Sequence, residues 1–261
     1  MAVEQRWREI LDGANDLRPA INLYQGRAFS IARNAAQRSG ADLSIVSAGL
    51  GWVRSQANVP NYDLTVSRSS LASYISGSFD RDAWWRSVVT GPFSTSPAED
   101  LKIRPVILAC VSQDYASFFT AELEHVPVGS LRIFGSGLEK KLSANLGKAV
   151  MPYDERLSRL SSGTRADFAQ RALAHYLFAL SPTGVLDEDA ASVRAAMAGL
   201  PPINASPVRR QLSDAELRAI IRTLVPQIGS RSRMLRHIRD TYGVACEQSR
   251  FARLYSEADG T

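Results

Sequence analysis

The chain has 261 residues, 45% of them hydrophobic, and a formal net charge of +5. This is enough apolar material for one sizeable core and a small appended module. Two cysteines cannot form a disulfide framework, and three histidines without ligand spacing argue against a zinc site. The absence of a bilayer-length apolar run and of an evident leader predicts a cytoplasmic protein without membrane association.

Four short apolar runs predict β-strands, at residues 43–47, 106–111, 131–134 and 149–151. Helical patterns accompany them, at residues 27–38, 81–89, 115–124, 138–145, 166–179 and 187–198. Strands that alternate with helices are usually joined by parallel crossovers. The sequence therefore predicts an α/β domain over residues 1–199, with a four-stranded, mainly parallel sheet flanked by helices.

A proline-containing stretch at residues 199–207 predicts a linker to a helical module over residues 208–261. In that module Ser213 and Glu216 have the spacing of a capping box, which predicts a helix ending near residue 227. Further helices are predicted at residues 231–242 and 245–256, joined at a glycine as in a helix-turn-helix unit. A plain three-helix cap is the alternative.

The excess positive charge lies in this C-terminal module. Residues 209–261 contain 10 arginines and 6 acidic residues, a balance of +4, whereas residues 1–208 contain 21 basic and 20 acidic residues, a balance of +1. Such clustering is typical of nucleic-acid binding, although a solvated arginine-rich face would have the same composition. The candidate DNA contacts in the module are Arg231, Arg233, Arg236 and Arg250.

The most informative segment is residues 42–66, where a β-branched run stops at Ser47 and a glycine-containing loop ends at Asp63. Open α/β sheets bind ligands at the carboxyl ends of their strands. Asp63 is therefore a candidate catalytic acid that orients water or stabilises a cationic sugar, and a helix cap is the alternative. Asp114 follows the strand ending at Val111 and has the same relation to it, so either carboxylate is a candidate.

Aromatic and amide side chains lie close to this segment in the sequence. An extruded base is bound by stacking and by hydrogen bonds to its edges, and amides offer both a donor and an acceptor. Aromatic residues at such positions also occur in hydrophobic cores. The predicted base pocket consists of Asn22, Tyr24, Gln25, Ser47, Gly49, Trp52, Asn61 and Tyr62.

A second set of candidate DNA contacts follows the last predicted strand. Hydroxyl residues and a glycine at residues 161–164 precede a helix, an arrangement that is typical of an anion site, whereas an N-capped helix with an Arg165–Asp167 surface pair is the alternative. The candidate contacts are Tyr153, Arg156, Arg165 and Arg171. No phosphate loop, dinucleotide fingerprint or Ser-His-Asp arrangement is present, and the sequence predicts no cofactor.

Three motifs together resemble the uracil-DNA-glycosylase-like superfamily: Leu-Tyr-Gln-Gly-Arg-Ala-Phe at residues 23–29, Ile-Val-Ser-Ala-Gly-Leu-Gly at 45–51 and Asn-Tyr-Asp at 61–63. The resemblance covers about residues 20–180. It lies near the archaeosine-synthase branch and is closest to anti-phage DNA glycosylases acting on glucosylated hydroxymethylcytosine. The usual Gly-Gln-Asp-Pro-Tyr run and His-Pro-Ser loop of the superfamily are absent.

The resemblance implies a monofunctional DNA glycosylase that acts on double-stranded phage DNA and leaves abasic sites. It also implies that Asp63 orients the water and that residues 152–157 probe the DNA. Two alternatives remain open at this point: a DNA-binding regulator that senses a nucleoside-like ligand, and a base-exchanging transferase acting on tRNA. The sequence predicts neither the oligomeric state nor the exact modified base.

Overall fold

The structure is a computed structural model that describes residues 3–64, 80–203 and 209–259. The chain divides into two compact units, residues 1–202 and residues 203–261. Residues 204–208, which belong to the predicted linker, lie outside the described residues. No helix within the described part of the chain combines the length and apolar character needed to cross a membrane.

The first half of the first unit contains α1 (Val3–Asp12), β1 (Leu17–Pro19), α2 (Ala20–Leu23), α3 (Arg27–Ser39), β2 (Ser44–Ser47), β3 (Gly51–Arg54) and β4 (Asn58–Pro60). After residue 80 come α4 (Arg81–Val89), α5 (Pro97–Lys102), β5 (Ile107–Cys110), α6 (Gln113–Leu123), β6 (Leu131–Phe134), α7 (Ala144–Gly147), α8 (Leu157–Leu160), α9 (Phe168–Ala179) and α10 (Leu186–Ala198).

The strands form separate pairs, so the predicted four-stranded parallel sheet is wrong. β1 pairs antiparallel with β4, β2 pairs antiparallel with β3, and β5 pairs parallel with β6. The fourth predicted strand contributes one parallel bridge, between Ile133 and Val150. The sheet prediction failed because the segment after β2, which was predicted as a loop, contains β3. β2 forms its strand pairing with β3 and not with another predicted strand.

Gly51 allows the chain to reverse between β2 and β3. Its φ of +79° lies in the region that glycine adopts without strain. A Cβ atom at this position would lie 2.6 Å from the carbonyl oxygen of Val88, closer than van der Waals contact allows. The tight reversal therefore depends on glycine and seats the hairpin against α4.

Local capping explains where several helices begin. The Asp80 carboxylate accepts hydrogen bonds from the backbone N–H groups of Asp82 and Ala83 at the start of α4.

The predicted helix at residues 138–145 is wrong, because residues 138–142 form turns and the helix that follows, α7, is short. The amphipathic pattern there reflects a turn that buries Leu138 rather than a helix.

The core of the first unit lies on both faces of the β5–β6 pair. Ile133 packs in one cluster with Trp84 and Phe118, whereas Phe134 packs in a second cluster with Tyr176. Alternation of side chains along a strand explains this division. The first unit is therefore a layered α/β domain built on a small parallel pair rather than on a continuous sheet.

Arg132 on β6 is fully buried and forms an ion pair with Asp189 on α10, with 2.7 Å between the nearest atoms. The Tyr176 hydroxyl donates to the same carboxylate at 2.7 Å, and the backbone N–H of Thr183 donates at 2.9 Å. A buried charge is tolerated when it is paired and hydrogen-bonded in this way. The pair fixes α10 against the strand.

The second unit contains β7 (Arg210–Gln211), α11 (Asp214–Leu224), α12 (Arg231–Asp240), β8 (Val244–Ala245) and α13 (Gln248–Asp259). The predicted capping box of Ser213 and Glu216 is confirmed at the start of α11. The last helix begins three residues later than predicted, because Val244 and Ala245 pair with β7 instead. The three helices enclose a separate core that includes Leu217, Ile238 and Phe251.

Candidate active site

Three hydroxyl groups meet at the carboxyl end of β2, and we call Ser47, Tyr62 and Tyr24 the hydroxyl cluster. The Ser47 Oγ lies 2.5 Å from the Tyr62 hydroxyl, and the Tyr62 hydroxyl lies 2.9 Å from that of Tyr24. The backbone N–H groups of Gly49 and Leu50 donate to Ser47 Oγ at 3.3 and 3.0 Å. These hydrogen bonds connect the end of β2 with the turn after it and with the loop near residue 62.

The hydrogen bonds of the cluster have a preferred direction. Ser47 Oγ accepts two backbone N–H bonds, which favours donation of its own proton to a neighbouring phenol, Tyr62 or Tyr24. Either phenol can donate in the contact between Tyr62 and Tyr24, and donation from Tyr62 is the order that fits a donating Ser47. In that order the Tyr24 proton is left for a ligand.

The pKa values of the nearby phenols are raised. Burial raises the pKa of Tyr62, and interaction with Tyr24 adds to the rise. Burial also raises the pKa of Tyr24, although hydrogen bonds with Ser47 and Tyr62 oppose that rise. Burial raises the pKa of Tyr115 to about 12, and interaction with Tyr62 and Asp114 contributes. The three phenols therefore remain protonated near neutral pH, and those of the hydroxyl cluster can donate hydrogen bonds.

Trp7 holds the turn after β2 in place. Its indole N–H donates to the Gly49 carbonyl at 2.7 Å, and its ring meets the Tyr62 ring edge-on with the centroids 6.2 Å apart. A Cβ atom on Gly49 would lie 2.8 Å from the Tyr62 ring and 2.9 Å from the Trp7 ring. Sequence reasoning did not identify Trp7, because it lies 42 positions before Gly49 and no motif links them.

The two candidate acids adjoin the phenols in the sequence. Asp63 follows Tyr62 directly; its side chain is exposed and makes no hydrogen bond or ion pair with another described residue. Asp114 is also exposed and precedes Tyr115, whose phenol interacts electrostatically with Tyr62 and Tyr24. The structure therefore brings the phenols of the two strand-end segments near one another, and an exposed carboxylate adjoins each segment's phenol.

The other predicted pocket residues do not join the cluster. Trp52 points into the core, where its indole N–H donates to Asp100 at 2.8 Å and the residue is 6% exposed. Asn22, Gln25 and Asn61 are exposed on the surface. A cavity of about 370 Å³ between α3 and residues 41–43 is lined by none of the predicted base-pocket residues.

The predicted anion site at residues 161–167 is occupied by the protein's own groups. Arg171 is 3% exposed and donates to the carbonyl oxygens of Ser161 and Thr164 and to the Asp167 carboxylate. Asp167 also pairs with Arg27 at 3.3 Å. Because a carboxylate and two carbonyls take up the guanidinium, Arg171 is a loop anchor and has no free face for a DNA phosphate.

Tyr153 and Arg156 are also engaged internally. The Tyr153 hydroxyl lies 2.9 Å from His175 Nδ1, and the residue is 8% exposed. Arg156 pairs with Asp154 at 2.6 Å, which neutralises its charge at the half-exposed surface. Arg165 alone of this group is exposed without an ion pair among the described residues.

The four candidate contacts of the second unit fall into two classes. Arg231, Arg233 and Arg236 are exposed on α12 and form no ion pair with any other described residue. Arg250 pairs with Asp214 at 2.6 Å and donates to the Leu212 carbonyl at 2.7 Å, which engages it within the unit. Of the four candidates, those on α12 therefore keep their charge unpaired; Arg210 and Arg222 are further exposed arginines of this unit without an ion pair to a described residue.

A scan against protein-family models, a search of curated proteins and a search of solved structures each find no match to this chain. Within the described residues no group of three or more His, Cys, Asp or Glu side chains is arranged to hold a metal ion. The site therefore consists of carboxylates, phenols and a serine.

Proposed function

We propose that the protein is a DNA glycosylase that hydrolyses the N-glycosidic bond of a modified base. The observation that carries the proposal is the adjacency of Asp63, an exposed carboxylate without a partner among the described residues, to a hydrogen-bond chain that can leave the Tyr24 proton for a ligand. Cleavage of an N-glycoside needs both functions. Positive charge develops on the sugar and negative charge develops on the departing base.

The chemistry follows from these two groups. The bond between C1′ and the base nitrogen breaks, and its electron pair leaves with the base. Asp63 stabilises the positive sugar, orients a water molecule and takes its proton as the water oxygen bonds to C1′. Tyr24, whose oxygen accepts the Tyr62 proton, donates its own hydrogen bond to the base. Asp114 is the second candidate for the water-orienting role.

DNA is the proposed substrate class. The target nucleotide would rotate out of the stack to reach the site, as enzymes acting on bases require. Glucosylated hydroxymethylcytosine in phage DNA is the specific base that the motif resemblance implies, which would make the protein an antiviral defence enzyme.

The test is incubation of the full chain with DNA that contains glucosylated hydroxymethylcytosine and, separately, with unmodified DNA of the same sequence. We expect alkali-sensitive abasic sites in the modified DNA alone. Binding of DNA without base release would favour a regulator that senses a nucleoside-like ligand. Incorporation of a labelled free base into tRNA would favour a transferase. Either of these results without base release would overturn the proposal.

A further inference from the structure

The second unit has a surface groove between α12 and the beginning of α13, with a volume of about 790 Å³. We call it the basic groove. Its charged lining consists of four arginines and two acids, Arg209, Arg231, Arg236, Arg239, Asp240 and Glu247, so four positive charges minus two negative charges leave a balance of +2.

Two of the four arginines have no hydrogen-bond or ion-pair partner among the described residues. Arg209 pairs with Asp240 at 2.9 Å, and the Arg239 guanidinium donates to the Cys246 carbonyl at 2.7 and 3.1 Å. Arg231 and Arg236 are exposed and form no hydrogen bond or ion pair with another described residue. The groove therefore displays two guanidinium groups that are free to bind an external anion.

Several other arginines of the unit are paired with acidic residues. Arg250 and Arg253 both contact the Asp214 carboxylate, at 2.6 and 2.7 Å. Arg253 and Arg218 both contact Glu257, at 3.0 and 2.8 Å. Three exposed arginines outside the groove also form no ion pair with another described residue, Arg210, Arg222 and Arg233. What distinguishes Arg231 and Arg236 is that both line one groove.

The positions of the two acidic residues indicate the side from which an anion would enter the groove. Asp240 is occupied by Arg209, and the Glu247 carboxylate accepts the Ser249 hydroxyl at 2.8 Å. Arg236 and Ser232 lie one helical turn apart on α12, so a guanidinium and a hydroxyl face the groove together. An anion would approach from the α12 side.

We propose that the basic groove binds phosphate groups of a nucleic-acid backbone through Arg231 and Arg236. A guanidinium is a planar, permanently charged fork that binds phosphate oxygens in pairs. A cavity of about 790 Å³ accommodates a stretch of backbone rather than a single ion. The inference rests on the proposed function only in taking DNA as the substrate, and it concerns a different unit of the chain.

The test compares two double variants of the full chain for binding to a fluorescent, unmodified DNA duplex across a series of salt concentrations. R231A/R236A removes the two free guanidinium groups of the groove. R218A/R222A removes the same charge from α11, outside the groove. Each phosphate contact contributes about 0.9 to the slope of log affinity against log salt.

We expect R231A/R236A to bind the duplex at least about tenfold more weakly and to lower the magnitude of the salt slope by about 1.8. R218A/R222A is expected to keep the wild-type slope. Equal losses in both variants would overturn the proposal, because only net charge would then matter. Unchanged binding in R231A/R236A, or tighter groove-dependent binding of a polyglutamate peptide than of DNA, would overturn it as well.

The same proteins separate this proposal from the proposed function. If the wild type releases no base while the groove variants lose DNA binding as expected, the groove assignment stands and the glycosylase assignment fails. If base release occurs at saturating protein and the groove variants bind DNA normally, the groove assignment fails and the glycosylase assignment stands.

Discussion

The hydroxyl groups of Tyr24 and Tyr62 lie 2.9 Å apart, although 38 positions separate the two residues in the sequence. The contact joins the segment after α2 to the segment after β4. In the order in which Ser47 donates into the same chain, the phenol of Tyr24 is its terminal donor. The catalytic proposal depends on this order of donors.

Replacement of Tyr24 by phenylalanine removes the terminal donor and keeps the ring. We expect Y24F to release base about a hundredfold more slowly, the usual cost of losing one donor to a developing anion. Stability is expected to fall by no more than about 1.5 kcal/mol, since only the Tyr62 proton loses its partner. The rate is measured in single-turnover base release.

The matched control for this prediction is Y115F. Tyr115 lies near the cluster, but its hydroxyl forms no hydrogen bond with the other described residues. Its loss is therefore expected to leave the rate nearly unchanged. If Y24F and Y115F slow base release equally, Tyr24 is not the specific donor.

Substitution of Gly49 by alanine tests the packing of the turn after β2. The added Cβ atom would meet the rings of Tyr62 and Trp7 at 2.8 and 2.9 Å. Overpacking of this kind destabilises by about 1–3 kcal/mol. All four tryptophans lie in the first unit, so urea unfolding followed by tryptophan fluorescence reports on that unit.

G129A is the control, because a Cβ atom at Gly129 has no neighbour within 4 Å. We expect the stability of G129A to lie within about 0.5 kcal/mol of the wild type. If G49A is as stable as G129A, the turn is looser than the structure indicates.

The buried ion pair predicts an acid-dependent loss of stability. Burial alone would raise the pKa of Asp189, but hydrogen bonds from Tyr176, Thr183 and Arg132 and the Arg132 charge outweigh it and lower that pKa. A carboxyl with a lowered folded-state pKa stabilises the fold above its unfolded pKa of about 3.9. That stabilisation disappears as the pH falls through the lower, folded-state pKa.

D189N leaves the Arg132 charge buried without a counter-ion, which costs about 3–5 kcal/mol at neutral pH. The difference in the free energy of unfolding between wild type and D189N is expected to shrink as the pH falls below about 4. The double variant R132M/D189N removes the stranded charge and is expected to recover part of the loss. A difference that stays constant down to low pH would contradict the assignment.

The local elements were predictable from the sequence, whereas the pairing of the strands was not. Residues 107–110 lie within the apolar run 106–111, and residues 131–134 are apolar except for Arg132; they form β5 and β6. β3 and β4 contain glycine, asparagine and proline, which are depleted in strands, so the segment has the composition of a loop. Strand pairing depends on residues that are far apart in the sequence. Because the segment after β2 was predicted as a loop, β2 was assigned to a parallel sheet with the other predicted strands.

The site was predictable only where one rule applied, the placement of ligand groups at strand ends. That rule indicated Ser47, Asp63 and Asp114, and the structure brings their segments together. The orientation of Trp52 required the register of β3, which a predicted loop does not have. The burial of Arg171 required its partners on the preceding loop, and the sequence pattern contained no sign of them.

The most direct test of the central claim is the rate of base release by D63N on DNA that contains glucosylated hydroxymethylcytosine. The substitution keeps the size of an exposed side chain that has no partner among the described residues, so folding is expected to be unchanged. D114N, which alters the second candidate acid, serves as the companion variant. We expect D63N to release base at least about a hundredfold more slowly than the wild type while it binds the same DNA with unchanged affinity. Base release by D63N at the wild-type rate would contradict the account.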